Sequence, residues 1–416
     1  MKFFKPTIFT GFAPNLRMAD VLTACGFLFL PWKWSAIHSG KYTKKVEDFL
    51  KKYLSINHVF CVDSGRSAIL IALKILGVQH GDEVIVQAYT CVVVVNAITA
   101  LGAKPVYVDI GEDLSILTDE DLIKKITTKT KAIIIQHTFG SAANLNSLLV
   151  IAKKKNIRIV EDCAQALGAE YNKKKLGTFG DIGVFSFGSN KIISSVRGGA
   201  MVTNNLEIAK KIEIARQKLK KQKNIETIKH LLHFPLFFIS KPIYHLGLGK
   251  LILGICKSFN ILPKIISHEE KSGVAEKNYP ALLANSLAKI AFFQLHNLNK
   301  NLAHREIVAK HYRNNLFSKI DYQEGEEGRV WLYYTIFVNN YSKLAQKLKK
   351  EGVIVGTDWS GAVIVPKDVS LSHTKYIKGS CPNAEDLSKQ ITNLPTNINV
   401  SIKKADRIIK LVNKYY

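Results

Sequence analysis

Lys191 stands where a lysine could do covalent chemistry. It follows an apolar segment at residues 184–187 (VFSF), which predicts a strand, and the glycine pair at 198–199 leads into a second apolar strand. Burial at such a turn favours the neutral amine, the form that attacks a carbonyl group to make a Schiff base. The alternative is an ordinary solvated lysine, the commoner case in a lysine-rich chain. A chemical role for Lys191 therefore needs support from residues elsewhere in the sequence.

Asp162 ends another strand-like segment, in the sequence IRIVEDCAQALG. A carboxylate is costly to bury alone, and a cationic partner removes that cost. The protonated ring nitrogen of pyridoxal phosphate would be such a partner, gaining about 4 kcal/mol at ~4 Å and an effective dielectric of about 20. That energy equals about three pKa units, enough to keep the ring protonated at neutral pH. The alternative is an aspartate that caps the turn after the strand.

A strand-to-helix turn at residues 64–67 could bind a phosphate group. Backbone N–H groups at a helix start point toward bound anions, and a glycine lets the backbone approach closely. A serine hydroxyl and an arginine fork would add further donors. Serine and glycine are also routine at helix caps, so this motif is weak by itself. The residues of the turn are Ser64, Gly65, Arg66 and Ser67.

Three more residues could complete a cofactor site. Tyr89 follows a predicted strand and could stack on an aromatic ring, although it could equally belong to the core. Gln165, three residues after Asp162, could contact a ring substituent. Ser186, five residues before Lys191, could reach a phosphate. None of the three is decisive separately.

The elements that must position these residues alternate between strand and helix from residue 59 onward. Such alternation predicts an α/β fold with a mostly parallel sheet and helices on both faces. Ligands of such sheets bind outside the carboxyl ends of the strands, where the candidate residues stand. We expect an irregular lead-in over residues 1–44, a large cofactor-binding domain over 45–300 and a small α+β domain over 301–416.

The charge and the cysteines of the chain restrict its partners and its compartment. The formal net charge of +26 indicates an anionic partner, unless it is compositional drift. No helix-turn-helix or aromatic RNA-binding pattern favours nucleic acid. The six cysteines are scattered without metal-ligand spacing, so we predict no metal site and a reducing cytoplasm.

Residues 222–270 combine apolar length with many lysines. The longest uncharged run, residues 230–240, is shorter than the roughly 20 residues that a membrane-spanning helix needs. The composition matches a segment lying in a membrane interface. It also matches a helical insertion packed on a neighbouring subunit, and both interpretations stay open.

In combination, these stretches resemble the DegT/DnrJ/StrS family of pyridoxal-phosphate sugar aminotransferases, which have the aspartate-aminotransferase fold (fold type I) with a sheet of the seven-stranded type. The resemblance covers most of residues 40–205 and 275–416. The sequences that carry it are VDSGRSAILIAL, DEVIVQAYTCVVVVNAITALGAKPVYVDI, IVEDCAQALGAEY, GTFGDIGVFSFGSNK and GGAMVTNN.

The resemblance implies a role for each candidate residue. Lys191 would hold the cofactor and move a proton between substrate and cofactor carbons, while Asp162 would pair with the pyridine nitrogen. Asn278 of a neighbouring subunit would complete the active site of a homodimer. The implied cofactor-binding residues are Ser64, Gly65, Arg66, Ser67, Tyr89, Asp162, Gln165, Ser186, Lys191 and Asn278.

Three departures from the family pattern stand out. The family usually has threonine at the position of Arg66, so the phosphate site would be rebuilt around a guanidinium group. The usual aromatic-Asn-aromatic-Arg sequence reads EKNYPAL here, and the interval between Lys191 and Asn278 is longer than usual. The surplus falls on residues 222–270.

We therefore expect a cytoplasmic, homodimeric aminotransferase. It would pass an amino group from a donor such as glutamate to a nucleotide-linked keto-sugar. The product would serve amino-sugar and cell-surface polysaccharide biosynthesis. Residues 222–270 would place it against the inner membrane face. The alternatives are a sugar dehydratase, which a lysine at 191 argues against, an aminotransferase with a non-sugar acceptor, and a non-catalytic cofactor-binding regulator.

Overall fold

The computed structural model describes residues 6–111, 114–115, 118–274, 279–317, 328–356 and 358–416. The strands are β1 (Ile8–Phe9), β2 (His58–Val62), β3 (Glu83–Gln87), β4 (Thr90–Cys91), β5 (Lys104–Val108), β6 (Thr130–Gln136), β7 (Arg158–Asp162), β8 (Glu170–Tyr171), β9 (Lys174–Lys175), β10 (Ile182–Ser186), β11 (Gly199–Thr203), β12 (Lys220–Lys221), β13 (Ala281–Leu282), β14 (Tyr333–Phe337), β15 (Val353–Ile354), β16 (Ile364–Val365) and β17 (Ile391–Pro395). The helices are α1 (Met18–Phe29), α2 (Tyr42–Leu54), α3 (Gly65–Ile75), α4 (Val92–Thr99), α5 (Asp119–Lys125), α6 (Leu145–Lys154), α7 (Leu206–Gln217), α8 (Asn224–Ser240), α9 (Leu248–Ser258), α10 (His268–Lys271), α11 (Asn285–Leu295), α12 (Leu298–Asn315), α13 (Tyr341–Lys350), α14 (Pro382–Ser388) and α15 (Ile402–Tyr415).

A seven-stranded sheet forms the centre of the molecule, in the order β2-β11-β10-β7-β6-β3-β5. The strands from β10 to β5 run parallel to one another. Strand β11 runs antiparallel to both of its neighbours, β10 and β2. Strands covered on both faces need continuous apolar runs, which the sequences EVIVQ and KAIII supply. The predicted mostly parallel sheet of the seven-stranded type is confirmed.

The N-terminal region differs from the prediction of an irregular lead-in. Gly26 lies inside α1 and is buried there, so it does not break the helix. Pro31 begins a 3₁₀ helix, Pro31–Ala36, at a position where its missing N–H costs nothing. Strand β1 pairs with β15, which joins residues 8–9 to the C-terminal part of the fold. Residues 1–44 therefore include regular elements that belong to the body of the protein.

The described residues form two hydrophobic cores. The larger core surrounds the seven-stranded sheet, and the smaller one includes Ile8, Val308, Ile336, Val353 and Ile409. Helix α12 connects the two, because its first residue packs in the larger core and Val308 packs in the smaller. The domain boundary expected near residue 300 remains a prediction.

The basic segment at residues 222–270 folds into helices α8, α9 and α10. Leu231 and Phe234 of α8 are buried, and α8 packs against α1. Helix α8 continues through Pro235. Among the described residues, no helix combines the length and the apolar character required to cross a bilayer.

Arg305 of α12 connects distant parts of the chain to the backbone of Lys191. Its guanidinium donates to Asn15 Oδ1 at 2.9 Å and to the carbonyl oxygen of Leu332 at 2.9 Å. Asn15 in turn donates through Nδ2 to the carbonyl oxygens of Lys191 and Ile192, at 2.6 and 2.9 Å. The N-terminal segment and α12 together therefore fix the loop that carries Lys191.

Arg305→Lys should destabilise the protein by about 2 kcal/mol or more, because a lysine cannot replace the forked donors and leaves buried acceptors unpaired. Chemical denaturation of the purified protein measures this change. Glu306→Gln, an exposed position on the same helix, is the matched control and should leave stability within about 0.5 kcal/mol of the wild type. Equal stability of Arg305→Lys and the control would contradict the role given to Arg305.

Candidate active site

Lys191 lies in the loop between β10 and β11, at the carboxyl edge of the sheet. The backbone N–H of Lys191 donates to the carbonyl oxygen of Gly188 at 3.2 Å. The carbonyl oxygen of Lys191 accepts a hydrogen bond from Asn15 Nδ2. Burial lowers the pKa of the Lys191 amine, and Arg66 acts in the same direction, while Asp162 and Cys91 act against it. A lowered pKa increases the neutral fraction of the amine at neutral pH, as nucleophilic attack requires.

Asp162 lies beside Lys191 because β7 and β10 are neighbouring parallel strands. Asp162 is the last residue of β7 and is aligned with Val184 of β10. Its Oδ1 accepts the N–H of Ala164 at 3.0 Å. Burial raises the pKa of the Asp162 carboxyl, and Ala164 and Lys191 oppose that effect. A neighbouring cation would stabilise the carboxylate in this buried position.

Glu161, the residue before Asp162, has a structural role. Its carboxylate accepts N–H bonds from Gly177 at 2.8 Å and from Phe179 and Gly180 at 2.6 Å each. His137 accepts the N–H of Ala143 through Nδ1, so its Nε2 carries the proton and donates to Glu161 at 3.3 Å. Burial alone would raise the pKa of Glu161, but these donors hold it below the usual value.

His137 and Glu161 form a cluster with Cys163 in which one ligand atom of each lies within 4.8 Å of the others. Hydrogen bonds already account for the first two side chains. Cys163 is buried beside them, and burial raises the pKa of its thiol well above the usual value. The cluster therefore belongs to the packing behind Asp162.

The turn at residues 64–67 meets the end of β10, as the sequence predicts. Ser64 caps α3 by accepting the N–H of Ser67 at 3.3 Å. A Cβ atom on Gly65 would lie 2.9 Å from Cβ and 3.2 Å from Oγ of Ser186. The glycine thus allows the start of α3 and the Ser186 hydroxyl to approach each other. This arrangement presents a helix N-terminus and a hydroxyl to one small space.

Arg66 is anchored by the chain segment that follows α9. Its Nη1 donates to Glu270 Oε1, and its Nη2 donates to the carbonyl oxygen of Ile265 at 2.6 Å. Its guanidinium carbon also lies 5.6 Å from the ring centroid of Tyr279. The departure from the family pattern at position 66 is therefore matched by a carboxylate from elsewhere in the chain.

Arg197 is a second buried guanidinium near this turn, and sequence reasoning missed it. Its guanidinium carbon lies 4.0 Å from the ring centroid of Tyr279, and its Nη2 lies 3.7 Å from Asp63 Oδ2. Nε and Nη2 of Arg197 are buried without a hydrogen-bond partner among the described residues. Burial lowers the pKa of Arg197, and Arg66 lowers it further. Its place directly before the glycine pair at 198–199 was the available sequence clue.

Tyr89 lies in a closed aromatic cluster. Its hydroxyl donates to the carbonyl oxygen of Trp359, and its ring packs edge-on against Phe139 and Trp359, with centroids 6.2 and 5.7 Å away. Gln165 accepts the N–H of Phe139 at 2.8 Å. Cys91, two residues after Tyr89, is near enough to Lys191 to influence its pKa. The stacking role of Tyr89 stays a prediction, and Asn278 lies outside the described residues.

The residues present fit pyridoxal phosphate. The start of α3 presents backbone N–H groups beside the Ser186 hydroxyl. Nε and Nη2 of Arg197, which have no hydrogen-bond partner among the described residues, supply further donors for an anion. Asp162 can pair with a ring nitrogen and Lys191 with an aldehyde. When bound, such a group supplies an electron sink for a substrate carbanion.

A sequence model of the DegT/DnrJ/EryC1/StrS aminotransferase family matches residues 32–240 and 266–413. GDP-perosamine synthase from Vibrio cholerae is 41% identical over 167 residues, which cover 40% of this chain and 45% of that protein. The chain thus spans about half the length of the first curated relatives that it matches. The dTDP-3-amino-3,6-dideoxy-alpha-D-galactopyranose transaminase from Aneurinibacillus thermoaerophilus is 24% identical over 388 residues, covering 91% of this chain and 93% of that protein.

The fold is shared with solved structures. NtdA from Bacillus subtilis, solved with bound cofactor PMP, superposes with a TM-score of 0.73 at 22% identity. The superposition covers 96% of this chain and 82% of that one. At this identity the likeness establishes the fold.

Gly65→Ala should destabilise the protein by about 1–3 kcal/mol, because the added methyl group overlaps Ser186 in a packed region. The midpoint of denaturant unfolding measures the change. Gly254→Ala is the matched control, since a Cβ there meets nothing within 4 Å and the position lies inside α9. The control should leave the midpoint unchanged or raise it slightly. A Gly65→Ala protein as stable as its control would show that the turn does not pack on Ser186.

Proposed function

Because the chain belongs to the DegT/DnrJ/EryC1/StrS aminotransferase family, we propose that it transfers an amino group from an amino acid to a keto-sugar. The observation that carries this proposal is the placement of Lys191 and Asp162 at neighbouring strand ends. Their pKa values shift in opposite directions, up for the carboxyl and down for the amine. Burial is the first cause of both shifts, and adjacent buried groups with perturbed pKa values are typical of functional sites.

Each residue of the site has a task in this proposal. Pyridoxal phosphate supplies the electron sink when bound. Lys191 holds the cofactor and then moves a proton at the reacting carbon of the substrate. Asp162 would pair with the ring nitrogen of the bound cofactor and favour its protonated form, and Gln165 would lie near the ring hydroxyl. The phosphate is held by Ser64, Gly65, Arg66, Ser67 and Ser186.

We propose glutamate as the amino donor and a nucleotide-linked keto-sugar as the acceptor. The names of the Vibrio cholerae and Aneurinibacillus relatives refer to GDP- and dTDP-linked sugars, which supports this class of acceptor. A diphosphate carries negative charge, and the net charge of +26 favours its approach. The product would serve amino-sugar and cell-surface polysaccharide biosynthesis.

We also propose a cytoplasmic homodimer with shared active sites, in which Asn278 of the partner subunit completes the phosphate site. The free state of all six cysteines supports a reducing compartment.

The purified protein loaded with pyridoxal phosphate should convert glutamate to 2-oxoglutarate in a half-reaction, and Lys191→Ala should slow this conversion by about 100-fold or more, because the proton-moving group is lost. Coupled detection of 2-oxoglutarate measures the rate. Lys153→Ala, an exposed lysine on α6, is the matched control.

A screen of nucleotide-linked keto-sugars then identifies the acceptor. A wild-type protein that binds the cofactor but gives no half-reaction with any amino acid would favour the dehydratase or the regulator instead. Conversion that continues unchanged in Lys191→Ala would remove Lys191 from the mechanism.

We further propose that the face carried by α9 lies against an anionic membrane surface. Leu248, Leu251, Ile255 and Phe259 are about half or more exposed and recur at helical spacing. Residues 241–268 contain four lysines and no aspartate or glutamate. The family model leaves residues 241–265 unmatched, so the sequence of this face departs from the family pattern. An apolar stripe with basic flanks is the composition of an interfacial helix.

The wild-type protein should float with vesicles of phosphatidylcholine and phosphatidylglycerol, and much less with phosphatidylcholine alone. A variant with Leu251→Glu and Ile255→Glu should lose this flotation, since it places charge in the apolar stripe. Flotation that is absent in the wild type, or unchanged in the variant, would contradict the membrane contact. A variant that instead dissociates dimers would assign the face to subunit packing.

A further inference from the structure

The side chain of Glu270, in helix α10, is held in one position by its hydrogen bonds. It is 5% exposed, and both of its carboxylate oxygens are engaged. Oε1 accepts from Arg66 Nη1, and Oε2 accepts the N–H of Ser267 at 3.0 Å. The N–H of Glu270 donates to Ser267 Oγ at 3.1 Å, which completes a capping box. A carboxylate bound on both oxygens keeps one orientation.

Helix α10 is itself held from two sides. Asn96 of α4 donates to the carbonyl oxygen of Glu270 at 2.8 Å. Lys271 pairs with Asp368 at 2.5 Å, and the N–H of Ser370 donates to the carbonyl oxygen of Lys271 at 3.0 Å. The helix therefore joins the large domain to the loop at residues 368–370, and Glu270 cannot swing away without breaking these contacts.

Arg66 needs such an anchor because its surroundings are cationic. It is the second residue of α3, where the positive end of the helix dipole disfavours a cation. Arg197 and Lys191 are close enough for their pKa values to be lowered by Arg66. Without a carboxylate, the guanidinium would move toward solvent and away from the turn.

The anchored guanidinium keeps donors available for a ligand. Two of its five N–H groups go to Glu270 and to the carbonyl of Ile265. Arg197, 6% exposed, adds Nε and Nη2 groups that have no hydrogen-bond partner among the described residues. The two guanidinium carbons lie 5.6 and 4.0 Å from the ring centroid of Tyr279, so Arg66 and Arg197 share this neighbour. Paired guanidiniums at a helix N-terminus suit a phosphate dianion.

We propose that Glu270 is a positioning residue that holds Arg66 for the cofactor phosphate, so that the segment following α9 determines how tightly this chain binds a phosphorylated cofactor. The inference rests on the proposed function. It gives α10, which follows the unmatched residues 241–265, a task inside its own subunit. The phosphate of pyridoxal phosphate is the group whose binding would depend on it.

The test compares pyridoxal phosphate with pyridoxal, which lacks the phosphate, in titrations of the cofactor-free full-length protein followed by absorbance. Glu270→Gln should weaken the binding of pyridoxal phosphate by about tenfold or more, since a charge-assisted contact is lost. The binding of pyridoxal should change by less than about twofold. Glu269→Gln, on the same short helix and exposed, is the matched control and should bind both compounds as the wild type does.

A double-mutant cycle tests whether Glu270 affects phosphate binding through Arg66. Arg66→Gln should weaken pyridoxal phosphate binding as Glu270→Gln does, and the double variant should be no weaker than Arg66→Gln alone. If Glu270→Gln fails to fold, Arg66→Lys is tested in its place. It keeps the charge but loses the fork, and should show the same selective loss for the phosphorylated compound.

Three results would overturn the inference while leaving the proposed function intact. These are unchanged binding in Glu270→Gln, an equal loss for both compounds, and tighter binding of pyridoxal phosphate, which would mean that Glu270 competes with the phosphate. A wild-type protein that binds neither compound would instead overturn the proposed function, and the inference with it.

Discussion

The site depends on one topological constraint, the meeting of neighbouring strand ends at the carboxyl edge of the central sheet. Strands β7 and β10 run parallel, so the residues that follow them emerge at the same edge. Asp162 and the Lys191 loop are adjacent for that reason. Strand β11 then returns antiparallel to β10, which closes the loop between them. The paired strands therefore hold the Lys191 loop next to Asp162.

A second constraint is the balance of buried charge around the start of α3. Arg66 and Arg197 would repel each other if Glu270 and Asp63 did not lie beside them. The two carboxylates come from distant parts of the sequence, and both are also fixed by backbone N–H groups. The two fixed carboxylates therefore hold the guanidinium groups of Arg66 and Arg197 near the turn.

The sequence was sufficient for the parts of this protein that local patterns determine. Alternating apolar segments predicted the sheet, and strand-end positions predicted that Asp162, Lys191, Ser186 and the 64–67 turn converge. Long-range pairings could not be predicted this way. The contact of Arg66 with Glu270 spans 204 positions, and that of Asn15 with Lys191 spans 176. No local periodicity indicates such a pair. Gly26 was expected to interrupt the apolar segment, but its burial in α1 outweighs its weak helix propensity.

The most direct measurement of the central claim is to find which residue binds the cofactor covalently. The protein is loaded with pyridoxal phosphate, reduced with borohydride, digested and mapped by mass spectrometry. The account predicts a phosphopyridoxyl group on the peptide that contains Lys191, and on no other lysine peptide at equimolar loading. An unmodified Lys191 peptide, or a label distributed over surface lysines, would contradict it.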